Sequence, residues 1–549
     1  MRQNVATIAL MALAGMFVFT TACGGNSVPE LRKVEKQDVL VFLRSDSSPK
    51  LDPQATSDGG DAIVLVQMYE GLVSASKAAP VTWEPALASK WEISADARTY
   101  TFTIRSDVKF HDGAKLDSSA VRRSFERLTL ENDPATPGSR PYADDIFGCI
   151  ARVETPDSQT IRFTLKESNT AFLANCGMFA AFIVSPKAIE EMEKQSKPDD
   201  RIAWLNHHPA GTGPYTIAAD SDYQSAENIT LTAFSNHWRG KAPIGRLVFQ
   251  TQSDGRTRLE RLKHNDVQVI DNVMPADWQA VRDEKGLVLF AWDDLNVAYL
   301  AMNMDTAKGF PTADKRVREA IALAVDRAPM IKAYDGIAQE MHVLLPTAMP
   351  GHPKGFLPAC DAVPREDALK RARALIKEAG FEGRELVLAF PEKPRPYLLQ
   401  PERIADLLRQ QFDAIGLKIK LEKTPNRELF DSPPNSTYPL VLIGWMTDNG
   451  DSDNFWRPLL AGSETKPSDN NFARFFDKGV YAEVFAAARE AGMDKRALMY
   501  EALERRVHNE FRPIVPLLSS KRSVAWRAEL EGLYVDSLGF LHAGLATYR

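Results

Sequence analysis

The sequence predicts an α/β protein of two lobes, the first of which carries an additional, mostly β portion. Strand-like segments and turns cluster in the first half of the chain, whereas apolar strands alternate with amphipathic helices in the second half. The chain has 549 residues, and a single hydrophobic core rarely grows beyond about 250–300 residues. Its composition, 44% hydrophobic and 26% charged, is typical of a globular protein.

The first half contains short segments with the patterns of strands. Residues 39–43 form a continuous apolar run, which predicts a buried strand. Tyr100, Phe102 and Ile104 alternate with polar residues, so one face of that strand should be buried. A helix is predicted at residues 62–72.

The second half predicts helices that are each followed by a strand. Val317, Ala320 and Ile321 recur at the spacing of one helix face. Gly380 and Gly416 stand where the end of a helix favours a residue with positive φ. The remaining predicted elements are helices at 367–379, 401–415 and 495–507, and strands at 161–165, 297–303, 386–390, 417–421, 441–444 and 513–518.

We expect the chain to cross between the lobes twice, at about residues 295–299 and 513–520. Residues 38–296 would then form the first lobe and residues 297–517 the second. Residues 518–549 would return to the first lobe.

The N-terminal residues have the features of an export signal. Arg2 precedes an apolar run at residues 5–19, which is too short to predict a membrane span. Small residues lead to Cys23 and resemble a bacterial lipobox, although Thr20 stands where leucine is usual. We therefore predict a signal peptide at 1–23, lipidation of Cys23 and a tether at 24–37, with simple cleavage and release as the alternative.

Several function classes are disfavoured by composition and motifs. A net charge of −6 argues against a nucleic-acid partner, which normally requires a basic face. No nucleophile elbow, zinc-protease motif, phosphate loop or dinucleotide-binding fingerprint is present, so we predict no enzyme activity. The cysteines and histidines lack metal-ligand spacing, so we predict no cofactor and no metal. Cys149 and Cys176 could form a disulfide or remain two buried thiols, and Cys360 would be unpaired.

Seven blocks with recognisable motifs are spread along most of the chain. They are residues 85–94 (PALASKWEIS), 100–105 (YTFTIR), 108–113 (VKFHDG), 211–215 (GTGPY), 237–241 (HWRGK), 299–303 (YLAMN) and 317–320 (VREA). Together they resemble the peptide/nickel group of bacterial extracellular solute-binding proteins, family 5. The resemblance implies a type II periplasmic-binding-protein fold of the large peptide-binding cluster, with the ligand held between two lobes.

Two stretches resemble the ligand site of dipeptide-binding proteins within this family. They are residues 444–455 (GWMTDNGDSDNF) and residues 395–397 (RPY). The resemblance implies that Asp448 binds a peptide's α-ammonium and Arg395 its α-carboxylate, with Tyr397 and Trp445 in the same site. The chemistry agrees, because a closed site must pair both charges of a zwitterionic peptide. Trp445 would supply an apolar wall for a side chain.

The natural ligand is left open by the sequence. Residues 238–241 and 455–460 resemble related proteins of antimicrobial-peptide resistance, and Ser452 replaces a usual proline. The expected function is to capture di- or oligopeptides for an ABC importer, whose permease and ATPase would be other chains. The protein would be a monomer anchored at the outer face of the cytoplasmic membrane, periplasmic or extracellular.

Other interpretations remain open at this point. The ligand could be haem, nickel or an oligosaccharide, or the protein could be a peptide receptor or chaperone that is not coupled to transport. Asp451 and Asp453 are interpreted as turn carboxylates rather than metal ligands. His111 and the adjacent pair at 207–208 are interpreted as structural or solvated histidines.

Overall fold

The computed structural model describes residues 38–77, 81–129, 140–144, 146–219, 222–430, 437–462, 466–468 and 470–549. The predicted signal peptide, Cys23 and the tether lie outside these residues, so the lipidation of Cys23 stays a prediction. Within the described part of the chain, no helix combines the length and the apolar character needed to cross a bilayer.

The strands vary from two to eight residues in length. In chain order they are β1 (Val39–Arg44), β2 (Val73–Ala75), β3 (Trp83–Pro85), β4 (Ala88–Ile93), β5 (Thr99–Ile104), β6 (Ile150–Asp157), β7 (Thr160–Leu165), β8 (Tyr215–Thr216), β9 (Tyr223–Ser225), β10 (Asn228–Ala233), β11 (Arg246–Thr251), β12 (Val269–Asp271), β13 (Leu287–Trp292), β14 (Asn296–Met302), β15 (Ala338–Glu340), β16 (Glu385–Pro391), β17 (Lys418–Thr424), β18 (Leu440–Met446), β19 (Ile514–Ser520), β20 (Arg522–Arg527), β21 (Leu530–Glu531), β22 (Tyr534–Val535), β23 (Leu541–His542) and β24 (Thr547–Tyr548).

The α-helices are concentrated in the second half of the chain. In chain order they are α1 (Gly59–Met68), α2 (Ser118–Thr129), α3 (Phe172–Asn175), α4 (Pro186–Glu193), α5 (Pro198–His207), α6 (Gly255–Lys263), α7 (Trp278–Asp283), α8 (Lys315–Ala324), α9 (Ala328–Ala333), α10 (Arg365–Glu378), α11 (Pro401–Asp413), α12 (Asn426–Phe430), α13 (Asp453–Trp456), α14 (Lys478–Arg489) and α15 (Met493–Arg506).

The first of two large sheets has the strand order β13-β20-β12-β1-β11-β10-β8, with β9 also paired to β10. Its central strand β1 runs parallel to β11 and β12. A separate antiparallel sheet, β4-β5-β7-β6, forms the additional β portion. Tyr100, Phe102 and Ile104 are buried in it, at 1% exposure or less, which confirms the buried face predicted from their alternation. We call the part of the chain built on the first large sheet lobe I.

The second large sheet has the strand order β15-β19-β14-β18-β16-β17, and we call the part built on it lobe II. Strand β16 is parallel to both β17 and β18, whereas β14 is antiparallel to β18 and β19. The chain enters this sheet after β13 and leaves it before β20. Because β14 begins at Asn296 and β19 ends at Ser520, the sheet extends slightly beyond residues 297–517, and the domain limits stay a prediction.

The buried apolar residues form two clusters. One contains Phe42 and Phe249 of the first large sheet together with residues of the β4-β5-β7-β6 sheet. The other is built around the second large sheet, with Leu300 and Leu442, and also includes Leu43 of β1. These two cores confirm the expectation that the chain is too long for one.

Helix ends follow from specific hydrogen bonds. Helix α1 begins earlier than predicted, because Asp58 caps it by accepting a hydrogen bond from Gly60 N. It also ends earlier: Tyr69 is extended, and Met68 O accepts a hydrogen bond from Gly213 N at 2.9 Å. Gly380 and Gly416 have φ of 74° and 90° after α10 and α11, as predicted for helix ends.

The three described cysteines are free thiols. Cys149 is half-buried, whereas Cys176 and Cys360 are buried. Of the two alternatives left open by the sequence, the structure shows separate thiols at Cys149 and Cys176.

Candidate ligand-binding site

The strand order of lobe II brings the four predicted site residues to one sheet edge. Arg395 and Tyr397 follow the carboxyl end of β16, while Trp445 and Asp448 lie at the end of β18 and just after it. Because β16 and β18 are parallel, their carboxyl ends share an edge. In open α/β sheets, ligands usually bind beyond this edge.

A glycine allows the two segments to pack closely. A Cβ atom on Gly444 would lie only 2.4 Å from Cδ2 of Tyr397, so the ring rests directly on the backbone of β18. Any larger residue at position 444 would displace Tyr397. This contact brings residues 444–445 and residues 395–397, which are far apart in the sequence, next to each other.

Asp448 is a buried carboxylate whose hydrogen-bond donors are neutral. Its Oδ2 accepts hydrogen bonds from the Tyr142 hydroxyl at 2.8 Å and from Asn454 Nδ2 at 3.3 Å. Its backbone N–H donates to Asn454 Oδ1 at 2.8 Å. Tyr142 belongs to lobe I, so the carboxylate lies where the two lobes meet.

Within the described part of the chain, no cation balances the charge of Asp448. Burial raises the pKa of Asp448 to about 7, and the hydrogen bonds from Tyr142 and Asn454 offset only part of this effect. Among the described residues, no lysine, arginine or histidine forms an ion pair with it. A buried carboxylate in this state gains most from a ligand that brings a positive charge.

Arg395 is buried and already paired. Its Nη1 donates to Asp46 Oδ2 at 2.8 Å and its Nη2 to Asp58 Oδ1 at 2.9 Å. Burial disfavours the charged guanidinium, but Asp58 and the other nearby negative groups outweigh this and hold the pKa of Arg395 above its usual value. The guanidinium also lies over the ring of Phe430, 4.9 Å from its centre.

The two aromatic residues of the predicted site differ in environment. Tyr397 is buried, which raises its pKa to about 12, and the neighbouring Arg395 opposes this shift. Trp445 is half-buried, and its Nε1 donates to Asn454 Oδ1 at 3.2 Å. Asn454 thus bonds to both Trp445 and Asp448, although nothing in the sequence distinguishes it from the other residues of its loop.

The other two aspartates of the loop are held by arginines. Arg496 donates to both carboxylate oxygens of Asp451, at 2.7 and 2.6 Å. Arg457 Nε donates to Asp453 at 2.8 Å, and Asp451 accepts the backbone N–H of Asp453. These contacts support the interpretation as structural turn carboxylates. The described residues contain no group of three side chains suited to a metal ion.

The histidines considered as metal ligands are engaged in local contacts. His111 bonds through Nε2 to the carbonyl of Gly213 at 3.0 Å and accepts from Gly211 N at 3.3 Å. His207 packs against Tyr223, and His208 stacks on Trp204. These contacts agree with the structural interpretation of the histidines.

Lobe I contributes residues that the sequence did not identify. Tyr142 contacts Asp448, Asp46 and Asp58 contact Arg395, and Asn175 accepts a hydrogen bond from the Asn449 side chain at 2.7 Å. The partners are 274 to 349 residues apart along the chain. No local sequence pattern indicates such pairings.

Comparison with known proteins assigns the chain to a family. Residues 82–467 match the family model of the bacterial extracellular solute-binding proteins, family 5 (middle). The chain belongs to this family. Family 5 proteins bind solutes and are not enzymes, which confirms the prediction of no enzyme activity.

Individual family 5 proteins resemble the chain over most of its length. It is 29% identical to the dipeptide-binding protein of Escherichia coli K12, over 92% of this chain and 93% of that protein. It is also 29% identical to heme-binding protein A of Haemophilus influenzae, over 90% and 88% of the two chains.

A solved family 5 structure confirms the two-lobe α/β fold. The dipeptide-binding protein of Pseudoalteromonas sp. SM9913, in complex with Met-Leu, superimposes with a TM-score of 0.83. The match covers 93% of this chain and 100% of that one at 22% identity, and it is evidence for the fold alone.

Proposed function

We propose that this solute-binding protein captures peptides with a free N-terminus between its two lobes and delivers them to an ABC importer. The observation that carries the proposal is the environment of Asp448, a buried carboxylate with neutral donors and no cationic partner among the described residues. A peptide α-ammonium supplies the missing charge and up to three hydrogen-bond donors.

Each predicted site residue has a role in this proposal. Asp448 binds the α-ammonium, and Arg395 binds the α-carboxylate of a short peptide after exchanging one of its present carboxylate partners. Trp445 forms a wall of the side-chain pocket, and Tyr397 positions Arg395, to which it is adjacent. Because Tyr142 and Asp448 belong to different lobes, a ligand at Asp448 would stabilise the closed arrangement of the lobes.

Binding of a defined dipeptide tests the proposal. Calorimetric titration with Met-Leu, its N-acetyl form and its C-terminal amide separates the contributions of the two charges. We expect the N-acetyl form to bind at least about 30-fold more weakly, because it leaves Asp448 without a cation. Equal affinities for Met-Leu and N-acetyl-Met-Leu would contradict the role of Asp448.

A haem ligand is the second candidate, because one relative is named a heme-binding protein. Mass spectrometry of the protein purified from its native host distinguishes the two. Peptide masses are the expected result, whereas a tetrapyrrole would refute peptide capture as the main function.

The proposed location is the outer side of the cytoplasmic membrane, with lipid on Cys23 and residues 24–37 as the tether. The permease and ATPase subunits of the importer would be separate chains, and the protein would act as a monomer. Cys23→Ser should release the protein from membranes into the soluble fraction. Sedimentation of the variant with membranes would refute lipid anchoring.

A further inference from the structure

Each terminal nitrogen of the Arg395 guanidinium already donates to a carboxylate. Nη1 is bound to Asp46 and Nη2 to Asp58, two carboxylates from different segments of lobe I. The Arg395 side chain is 8% exposed, whereas those of Asp46 and Asp58 are 20% and 33% exposed. The arginine is therefore covered by the carboxylates, and these are the groups nearer to solvent.

Other charged groups of both signs surround Asp58. Lys50 and Arg44 are near it, and burial together with the charge of Asp58 raises the pKa of Asp61 to about 8, so Asp61 is largely neutral at pH 7. The groups that bond directly to the terminal nitrogens of Arg395 are the carboxylates of Asp46 and Asp58. A further carboxylate arriving at Arg395 would therefore have to compete with these two for the guanidinium.

Asp58 is fixed in place by the fold as well as by Arg395. It is the N-cap of α1, and the oxygen that accepts from Arg395 also accepts from Gly60 N at 2.7 Å. A group tethered in this way competes with a dissolved ligand at a high effective concentration. A peptide α-carboxylate must displace it, whereas a peptide that ends elsewhere need not.

We propose that Asp58, assisted by Asp46, is a specificity-determining residue that occupies the place of a ligand α-carboxylate at Arg395. The preferred substrates are then peptides bound through their N-terminus whose C-terminal carboxylate is blocked or lies away from Arg395, whereas a short peptide with a free carboxylate there must first displace Asp58. This inference rests on the proposed function, because it presumes that a peptide is held at Asp448.

Replacing Asp58 with asparagine tests the inference. Asn caps helices as well as Asp does, so Asp58→Asn removes the charge and keeps α1 intact. The matched control is Asp254→Asn, because Asp254 caps α6 in the same way through Thr257 N and has no contact with Arg395. The ligands are Met-Leu and Met-Leu amide, titrated calorimetrically at pH 7.5 against the wild type and both variants.

In the wild type, we expect Met-Leu amide to bind at least as tightly as Met-Leu. In Asp58→Asn, the affinity for Met-Leu should rise about tenfold or more, because the substitution removes a negative charge that repels the bound carboxylate. The affinity for the amide should change less than about threefold, and Asp254→Asn should behave as the wild type. Adding Arg395→Met to Asp58→Asn should abolish the gain for Met-Leu.

The outcomes separate this inference from the proposed function. If Asp58→Asn changes the affinities for acid and amide equally, or weakens the acid selectively, the inference is wrong while peptide capture stands. If neither peptide binds the wild type, the proposed function is wrong and the inference falls with it. Unfolding curves of each variant show whether a loss of binding reflects a loss of structure.

Discussion

Replacing Asp448 with asparagine should stabilise the protein and weaken its binding of peptides. Both hydrogen bonds to the side chain, from Tyr142 and Asn454, go to the single oxygen Oδ2. An asparagine with its oxygen in that position keeps both. The substitution therefore removes the buried charge with little change in hydrogen bonding.

The pKa of Asp448 sets the size of the stability gain. It is raised from 3.8 in the unfolded reference to about 7 in the folded protein. The folded state therefore holds the proton more tightly, so stability falls as the pH rises from about 4 to 7 and is level above. At 1.36 kcal/mol per pKa unit, the ionised Asp448 costs on the order of 4 kcal/mol above pH 7.

The assay is chemical denaturation of the wild type and Asp448→Asn at pH 4 and pH 8. We expect nearly equal free energies of unfolding at pH 4 and a variant that is more stable by on the order of 4 kcal/mol at pH 8. The same variant should bind Met-Leu about 30-fold to several thousand-fold more weakly, because the peptide's ammonium loses its partner. A variant that is less stable than the wild type at pH 8 would refute the reasoning.

Three further predictions follow from the same contacts. Affinity for Met-Leu should fall by up to about tenfold per pH unit below pH 7, because Asp448 must lose its proton to bind an ammonium. An affinity that does not change between pH 5 and pH 7 would contradict this. Tyr142→Phe removes a hydrogen bond to the charged Asp448 and should weaken binding about 10- to 100-fold with unchanged secondary structure, as calorimetry and circular dichroism would show. Arg496→Gln breaks the bidentate pair with Asp451 and should lower the free energy of unfolding by about 1.5–3 kcal/mol. Arg122→Gln, which breaks the exposed pair with Glu126 on the surface of α2, should lower it by less than about 1 kcal/mol.

The sequence predicted the elements of the fold through local periodicity. The alternation of Tyr100, Phe102 and Ile104 identified β5 and its buried face, and the apolar run at residues 39–43 identified β1. Boundaries were less accurate where a tertiary contact decides them. Helix α1, for example, ends where Met68 bonds to Gly213, 145 residues away along the chain.

The candidate site residues selected from the sequence all belong to lobe II. The residues of lobe II belong to compact motifs, so Arg395 and Asp448 could be selected before the fold was known. Their partners in lobe I lie 306 to 349 residues distant, and their identity depends on how the lobes meet. Neither the hydroxyl of Tyr142 nor the carboxylates facing Arg395 could be inferred from spacing.

The structure also separates three aspartates that look alike in the sequence. Asp451 and Asp453 are each neutralised by a neighbouring arginine, so a ligand's cation would gain little there. Among the residues that the structure describes, Asp448 has neutral donors alone, and no cation pairs its buried charge. Arg395, in contrast, is already paired with two carboxylates. This asymmetry favours recognition that begins at the peptide's N-terminus, because Asp448 offers the ligand a buried charge that no described residue pairs.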